Sequence, residues 1–363
     1  MSLTLEQVSK YVDGEMHISD VNLTFEPGSF NVLLGRTLAG KTSLMRLIAG
    51  LDRPSSGRIL VNGVDVTGVS VRDRNISMVY QQFINYPNLT VFENIASPLR
   101  LSGMSRDEIN QRVYQTAEML RITEHLKKYP LELSGGQQQR TAMARALVKD
   151  AEIILFDEPL VNLDYKLREE LRQEMRELFQ TRHTIAIYAT TEPNEALALG
   201  GTTTILHEGK VMQSGATASV YHRPNNVGSA TLFSEPPINL IRGEVNSNEI
   251  TFDRSAHFPL NQSLSNLERG EYQFGIRPSH LSLLPKHDDD VELTVQVEVA
   301  EISGSETFLH VRNAQLDMVL HLAGVHSYEV DETIKIYIPI HKFYVFGMDD
   351  VLVHAPSRNI RGQ

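Results

Sequence analysis

GRTLAGKT, residues 35–42, follows the apolar run FNVLL (30–34) and precedes a helical segment that ends at Gly50. The stretch fits G-x-x-x-x-G-K-[S/T] in the strand–loop–helix context that this motif requires. Its glycines let the backbone approach phosphate oxygens, and backbone N–H groups at the helix start point toward them. We therefore predict a P-loop α/β fold with a nucleotide site. The predicted nucleotide-binding residues are Gly35, Arg36, Thr37, Leu38, Ala39, Gly40, Lys41, Thr42 and Ser43.

Two side chains of this loop and two downstream carboxylates predict ATP and Mg²⁺ as ligands. Lys41 is expected to reach the β- and γ-phosphates, while Thr42 offers its hydroxyl to Mg²⁺. The segment IILFDE (153–158) is an apolar strand that ends in Asp157 and Glu158. In P-loop proteins an Asp at this strand end holds Mg²⁺. The neighbouring Glu158 can polarise the attacking water as general base.

A third motif, LSGGQQQR (133–140), stands between the first two. The order of a phosphate loop, Leu-Ser-Gly-Gly-Gln and an Asp-Glu strand resembles the ATP-binding cassette (ABC) family. Backbone amides at a helix N-terminus form an anion site. The resemblance implies that this one binds the γ-phosphate of ATP held by a second cassette, so that ATP joins two cassettes. The implied residues are Ser134, Gly135, Gly136 and Gln137.

The same resemblance gives roles to three further residues. VYQQ (79–82) resembles the Q-loop, in which Gln81 would contact Mg²⁺ and sense the permease. Tyr11 lies where the family stacks an aromatic ring on adenine. PLVNLD (159–164) resembles the D-loop, which implies that Asp164 faces the dimer seam.

The chain departs from the family pattern at three positions. Thr191 stands where a histidine contacts the γ-phosphate, Leu38 replaces a loop glycine, and Val161 replaces a small polar D-loop residue. Threonine can donate a hydrogen bond but has no cationic form. Either this subunit pairs with a different, more complete cassette and its own site hydrolyses slowly, or it forms a homodimer with Thr191 as a tolerated variant. We favour the first interpretation.

Composition excludes several function classes. The 363 residues include 34 Lys and Arg against 45 Asp and Glu, a net charge of −11, which argues against a nucleic-acid partner. Without cysteine there are no disulfides, no Cys-ligated zinc and no thiol catalysis. No apolar run approaches the roughly 18 residues of a membrane span, and MSLTLEQVSK lacks the apolar core of a signal peptide. We expect a peripheral protein on the cytoplasmic face of the inner membrane.

Two domains are predicted, residues 1–235 and 236–363. In the first, apolar runs alternate with helical patterns, which predicts a mostly parallel sheet covered by helices. A capping box from Ser105 to Glu108 predicts a helix that runs to about Lys127, inside a helical subdomain at about 82–130. The candidate strands are Phe30 to Leu34, Arg58 to Val61, Ile76 to Val79, Ile153 to Asp157, Thr184 to Ala189 and Thr203 to Leu206. The candidate core stripe of a helix is Leu163, Leu167, Leu171, Met175 and Leu178.

The second predicted domain loses the helical pattern. VELTVQVEV (291–299) and TIKIYI (333–338) alternate with period 2, which predicts a small all-β, OB-like barrel. YQFGIRPSHL (272–281) resembles the start of the TOBE- or MOP-like β domain of carbohydrate-importer cassettes. The resemblance implies an ATP-hydrolysing subunit of an importer for a carbohydrate, polyol or glycerol-type solute.

The resemblance also implies partners. They are a second cassette, two transmembrane permease subunits and, through the permease, an extracytoplasmic solute-binding protein. An alternative function is a soluble or regulatory cassette that binds ATP with little turnover, which Thr191 and Leu38 keep open.

Overall fold

The computed structural model describes residues 2–82, 84–161, 163–180, 183–246, 249–252, 256–260, 264–288, 290–313 and 316–357. The chain divides into two compact units, Met1–Thr217 and Ala218–Gln363. The domain limits expected from the sequence, with a boundary near residue 235, stay a prediction. No helix in the described part of the chain is long and apolar enough to cross a membrane.

The first unit contains ten strands and six α-helices among its described residues. The strands are β1 (Leu3–Val12), β2 (Glu15–Phe25), β3 (Phe30–Leu34), β4 (Ser56–Val61), β5 (Val64–Asp65), β6 (Ile76–Val79), β7 (Ile153–Asp157), β8 (Ile185–Thr190), β9 (Thr202–His207) and β10 (Lys210–Ala216). The helices are α1 (Lys41–Ala49), α2 (Val91–Leu101), α3 (Arg106–Met119), α4 (Gly135–Leu147), α5 (Tyr165–Gln180) and α6 (Pro193–Leu199).

The main sheet of this unit has the order β10-β9-β3-β8-β7-β6. Its pairings are parallel except that β10 runs antiparallel to β9. All five residues of β7 and all six of β8 are buried, as is typical of parallel strands covered on both faces. The predicted α/β fold with a mostly parallel sheet is confirmed. Parallel pairing also brings the carboxyl ends of β3, β7 and β8 to one edge, where the phosphate loop begins.

One expected strand of the parallel sheet lies elsewhere. The segment predicted as Arg58 to Val61 belongs to β4, which pairs antiparallel with β1 in a separate sheet of order β2-β1-β4-β5. The hairpin of β1 and β2 was not predicted from the sequence. Its turn is Asp13-Gly14, with φ of 51° and 87°, the conformation that a two-residue hairpin turn requires.

For α3 the sequence predicts the start of the helix correctly but not its end. Helix α3 begins at the predicted capping box, in which the Ser105 hydroxyl and the Glu108 carboxylate bond each other's backbone N–H. It ends at Met119, not near Lys127, and Arg121 just beyond has φ of 53°, a left-handed conformation that cannot continue a right-handed helix. In α5, Leu171 and Met175 are fully buried, so the core role of these two stripe residues is confirmed.

The second unit opens with two short helices and continues with strands among its described residues. The helices are α7 (Thr217–His222), whose first residue closes the first unit, and α8 (Val227–Leu232). The strands are β11 (Asn239–Val245), β12 (Glu249–Phe252), β13 (Ala256–Pro259), β14 (Gly270–Ile276), β15 (Asp290–Ser303), β16 (Glu306–Asn313), β17 (Leu316–Ala323), β18 (Thr333–Pro339), β19 (Tyr344–Phe346) and β20 (Leu352–His354).

These strands form two sheets, β13-β12-β11-β14-β19-β20 and β17-β16-β15-β18. The period-2 pattern at 291–299 lies in β15, where Leu293, Val295 and Val297 point into the core. The expected small all-β domain is confirmed. Arg277 is buried and donates to the carbonyls of Tyr221 (2.9 Å) and Phe233 (2.6 Å), so it ties the helical start of the unit to β14.

Candidate nucleotide site

The loop between β3 and α1 has the backbone geometry of a phosphate cradle. Gly40, the residue before the helix, has φ of 100°, and a Cβ there would lie 2.9 Å from the carbonyl oxygen of His17. Only glycine therefore fits this turn without displacing β2. The Gly35 N–H donates to the carbonyl of Thr190 at 3.3 Å, which ties the loop to the end of β8.

Lys41 lies at the centre of this loop. Its side chain is 4% exposed, donates to the carbonyls of Gly35 (2.8 Å) and Arg36 (3.2 Å), and lies 3.1 Å from Glu158 Oε1. Glu158 in turn accepts a hydrogen bond from Gln81 at 3.3 Å. The structure thus brings the predicted phosphate-binding lysine, general base and Q-loop glutamine into one connected group.

Glu158 itself has an unusual backbone conformation, with φ of 46°. A left-handed conformation is costly for a non-glycine residue and is concentrated at functional positions. Here the backbone turns immediately after β7, and the Glu158 N–H donates to the carbonyl of Ala189 at 3.1 Å. This turn directs the side chain to Lys41, whereas the preceding Asp157 is buried at the strand end.

Asp157 and Thr42 are the protein groups best suited to hold Mg²⁺. The Thr42 hydroxyl donates to Asp157 Oδ1 at 3.1 Å. Burial raises the pKa of Asp157, and the hydrogen bond from Thr42 only partly opposes this shift. Mg²⁺ prefers oxygen ligands and usually binds one or two carboxylates together with substrate phosphates. One carboxylate, one hydroxyl and the nearby Gln81 amide fit that requirement.

An open cavity of about 840 Å³ contains the loop, and its size lies within the usual range of small-molecule sites. Of the predicted residues it collects Thr37 to Ser43, Gln81 and Glu158. Gly35 and Arg36 support the loop from outside this lining, through the carbonyls that accept from Lys41. Tyr11 is half-exposed and pairs in register with Met16, which does line the cavity.

One wall of this cavity was not predicted from the sequence. The wall comes from the start of β2 and the β9–β10 turn, and its members are Glu15, Met16, His17, Glu208, Gly209 and Lys210. The Gly209 N–H donates to the carbonyl of Ala39 at 3.0 Å, and its carbonyl accepts from Ser19 at 2.9 Å. The Glu-Gly pair after an apolar run is a turn signal that could have located this hairpin, but not its contact with the loop.

The four signature residues lie outside this lining. Ser134 and Gln137 form a capping box at the start of α4, with Ser134 N to Gln137 Oε1 at 3.1 Å and Gln137 N to Ser134 Oγ at 3.4 Å. Ser134 and Gly135 are exposed. Gly136 faces α5, since a Cβ there would clash with the side chain of Leu167. Asp164 also caps a helix: its carboxylate accepts from the N–H of Leu167 at 3.0 Å, in the first turn of α5.

Two of the departures from the family pattern lie near the loop. Thr191 directly follows β8 and is half-buried, but it does not line the cavity. The segment before it is anchored because Tyr188 and Thr190 both donate to the buried Glu195 carboxylate, at 2.9 and 2.6 Å. Leu38 has φ of 67° and is 94% exposed.

Comparison with known proteins gives the same assignment. Residues 18–161 match the model of the ABC transporter family. Over 347 residues the chain is 35% identical to the sn-glycerol-3-phosphate import ATP-binding protein UgpC of Escherichia coli O157:H7, covering 95% of this chain and 97% of that protein. The chain belongs to the ABC transporter family. It is the ATP-binding and ATP-hydrolysing cassette of such a transporter, as the sequence motifs predict.

Other relatives of this cassette share its full length. UgpC of Paraburkholderia xenovorans is 34% identical over 353 residues, which covers 95% of this chain and 97% of the relative. The uncharacterized ATP-binding protein YcjV of Escherichia coli O6:H1 is 33% identical, covering 96% and 98%. Among solved structures, the dimeric post-hydrolysis state of the cassette MJ0796 with ADP and Pi is 30% identical, with a TM-score of 0.54. It covers 59% of this chain and 98% of that one.

Proposed function

We propose that this cassette energises the import of a carbohydrate, polyol or glycerol-type solute. The observation that carries the proposal is the extent of the likeness to import ATP-binding proteins, about 95% of the chain, so that it includes the all-β unit as well as the ATP site. The cassette would work with two permease subunits at the cytoplasmic face of the inner membrane. An extracytoplasmic binding protein would deliver the solute to the permease.

The geometry of the first unit supports ATP hydrolysis by these residues. Lys41, already surrounded by oxygen acceptors, would bind the β- and γ-phosphates, and Thr42, Asp157 and Gln81 would hold Mg²⁺. The bound Mg²⁺ supplies charge neutralisation of the phosphates. Glu158 would orient the attacking water and accept its proton. Tyr11 would stack on the adenine.

A second cassette would complete the site. Ser134 and Gly135 are exposed at a helix N-terminus, outside the cavity of their own chain, as expected for groups that bind ATP held by a partner. We propose a heterodimer, because Thr191 offers neither the reach nor the charge of the usual histidine. The signature of this chain would then complete the competent site of its partner, with Asp164 at the seam between them.

Purification of the transporter tests this proposal. The chain would be expressed with the neighbouring permease and cassette genes, purified from membranes, and its subunit composition measured. Equal amounts of two cassettes and ATP-dependent uptake of sn-glycerol 3-phosphate, glycerol or a disaccharide into proteoliposomes would support it. Two copies of this chain alone would contradict the heterodimer, and failure to copurify with any permease would contradict the transport role.

A cassette that binds ATP with little turnover is a second candidate, which the threonine at position 191 favours. Steady-state phosphate release separates the two functions. Solute-stimulated release by the purified complex would exclude the second candidate, whereas ATP binding without release would favour it.

A further inference from the structure

The signature motif continues into two glutamines, Gln138 and Gln139, to which the proposed function assigns no role. Gln139 is completely buried, and its amide nitrogen donates to the carbonyl of Pro159, the residue directly after Glu158. The carbonyl of Gln138 accepts a hydrogen bond from the Asn85 amide at 2.8 Å. Asn85 belongs to the segment that follows Gln81. Two adjacent residues of α4 therefore bond the two segments that carry Gln81 and Glu158.

A further contact reinforces the connection on the Q-loop side. The Arg145 guanidinium, two turns farther along α4, lies 4.9 Å from the centre of the Tyr86 ring, a cation–π distance. Tyr86 is in turn fixed to α2, since Asn94 accepts from its N–H at 2.7 Å and donates to its carbonyl at 3.1 Å. The segment after Gln81 is thus held between α2 and α4.

At position 139 the hydrogen-bond donor of the side chain matters more than its volume. The Oε1 of Gln139 is buried and has no hydrogen-bond partner among the residues that the structure describes. An unsatisfied buried oxygen costs about 1–3 kcal/mol, a cost that leucine of similar size would avoid. A residue needed only to fill this space would therefore be apolar. What the amide provides is the bond to the Pro159 carbonyl.

We propose that Gln139 and Asn85 are positioning residues that hold Glu158 and Gln81 at their contact distance and tie both to the signature helix. Movement of α4, when a partner's ATP binds at Ser134, would then be transmitted to the general base and to the Q-loop. The inference rests on the proposed role of Glu158 in hydrolysis. Neither Gln139 nor Asn85 is proposed to touch ATP.

Hydrogen exchange of the full-length chain tests this positioning without depending on activity. In Gln139→Leu we expect several-fold faster exchange of the amides of Glu158 and Leu163, which are hydrogen-bonded around the Pro159 turn. In Asn85→Ala the segment 84–86 should exchange faster. Unchanged exchange in both folded variants would overturn the proposal.

The matched control is Asn31→Leu. Asn31 is also a buried amide that donates to a backbone carbonyl, that of Ala186 at 3.2 Å, but it lies at the far end of β3 from the phosphate loop. We expect its loss to leave exchange at Glu158 unchanged. If Asn31→Leu speeds exchange there as much as Gln139→Leu does, the effect is general loosening and the positioning role is wrong.

Activity provides the second readout. The complex is purified with the catalytic Glu of any different partner cassette changed to Gln. In this background Gln139→Leu should lower kcat on the order of tenfold, since small misplacements of catalytic groups are costly. The Kd for AMP-PNP should change less than about twofold, because Gln139 lies outside the cavity. An equal loss in affinity would contradict positioning. If the wild-type complex has no ATPase activity, the proposed function is wrong. Hydrogen exchange would still decide whether Gln139 and Asn85 position Glu158 and Gln81.

Discussion

The phosphate-loop half and the signature half of the proposed ATP site differ in how complete they are within one chain. In the first, Glu158 already contacts both Lys41 and Gln81, and all three line an open cavity. In the second, Ser134 and Gln137 cap their own helix and lie outside that cavity. The difference supports a division of labour, in which each chain binds one ATP with its loop and offers its signature to the ATP of another chain.

The largest change in measured turnover is expected from Ser134→Ala. If this signature completes the partner's site, removing one hydrogen-bond donor should lower turnover at that site on the order of 100-fold, measured in a complex in which Glu158 of this chain is Gln. ATP affinity of the isolated chain should stay within about twofold, because Ser134 does not line its own cavity. Phosphate release and nucleotide titration measure the two quantities.

The substitution also removes a helix cap, worth about 1 kcal/mol, so a control is needed. Ser105→Ala removes the same kind of capping box from α3, away from the ATP site. It should lower stability by a similar amount and leave turnover unchanged. If Ser105→Ala slows turnover as much as Ser134→Ala, loss of the cap explains both results and the signature role is contradicted.

Thr191→His tests the phosphate-loop half of the same comparison. If threonine weakens this chain's own site, a histidine should raise turnover there by about tenfold, equivalent to roughly 1.4 kcal/mol of the barrier. The measurement requires a complex in which the partner's catalytic Glu is Gln, so that only this site turns over. Thr191→Ser is the control, since it keeps the hydroxyl and adds no ring. No gain with histidine would mean that Thr191 does not limit the site.

In both halves local sequence predicts the motifs better than the contacts that support them. The phosphate loop and the IILFDE strand are continuous segments, and α1 and β7 occur where their patterns indicate. The wall formed by Gly209 was not predicted, because it depends on a hydrogen bond to Ala39 between segments remote in the chain. Likewise, no local pattern shows that Gln139 reaches Pro159. Motifs reveal what a segment can bind, whereas tertiary pairing determines what supports it.

Glu158→Gln tests whether the two ATP sites contribute equally. At this chain's own site, loss of a general base should slow hydrolysis by about 10²–10⁴-fold. In a heterodimer whose partner site carries most turnover, the complex should nevertheless lose no more than about half of its activity. Near-complete loss of turnover would show that this site is essential and would favour the homodimer. The partner's equivalent Glu→Gln variant is the matched comparison.

The smallest expected effect concerns strain in the phosphate-loop half. Leu38 has φ of 67° and is 94% exposed, so its side chain gains little from packing while its Cβ opposes the backbone conformation. That conformation costs an L-residue about 1–2 kcal/mol. Glycine would remove this cost but add about 0.5–1 kcal/mol of chain entropy in the unfolded state. Leu38→Gly should therefore stabilise the first unit by about 0.5 kcal/mol and raise Tm by about 1–2 °C.

Leu38→Ala keeps the Cβ and should leave Tm unchanged. If Leu38→Ala stabilises as much as Leu38→Gly, the cause is removal of an exposed apolar side chain. The Cβ at position 38 would then not strain the loop conformation.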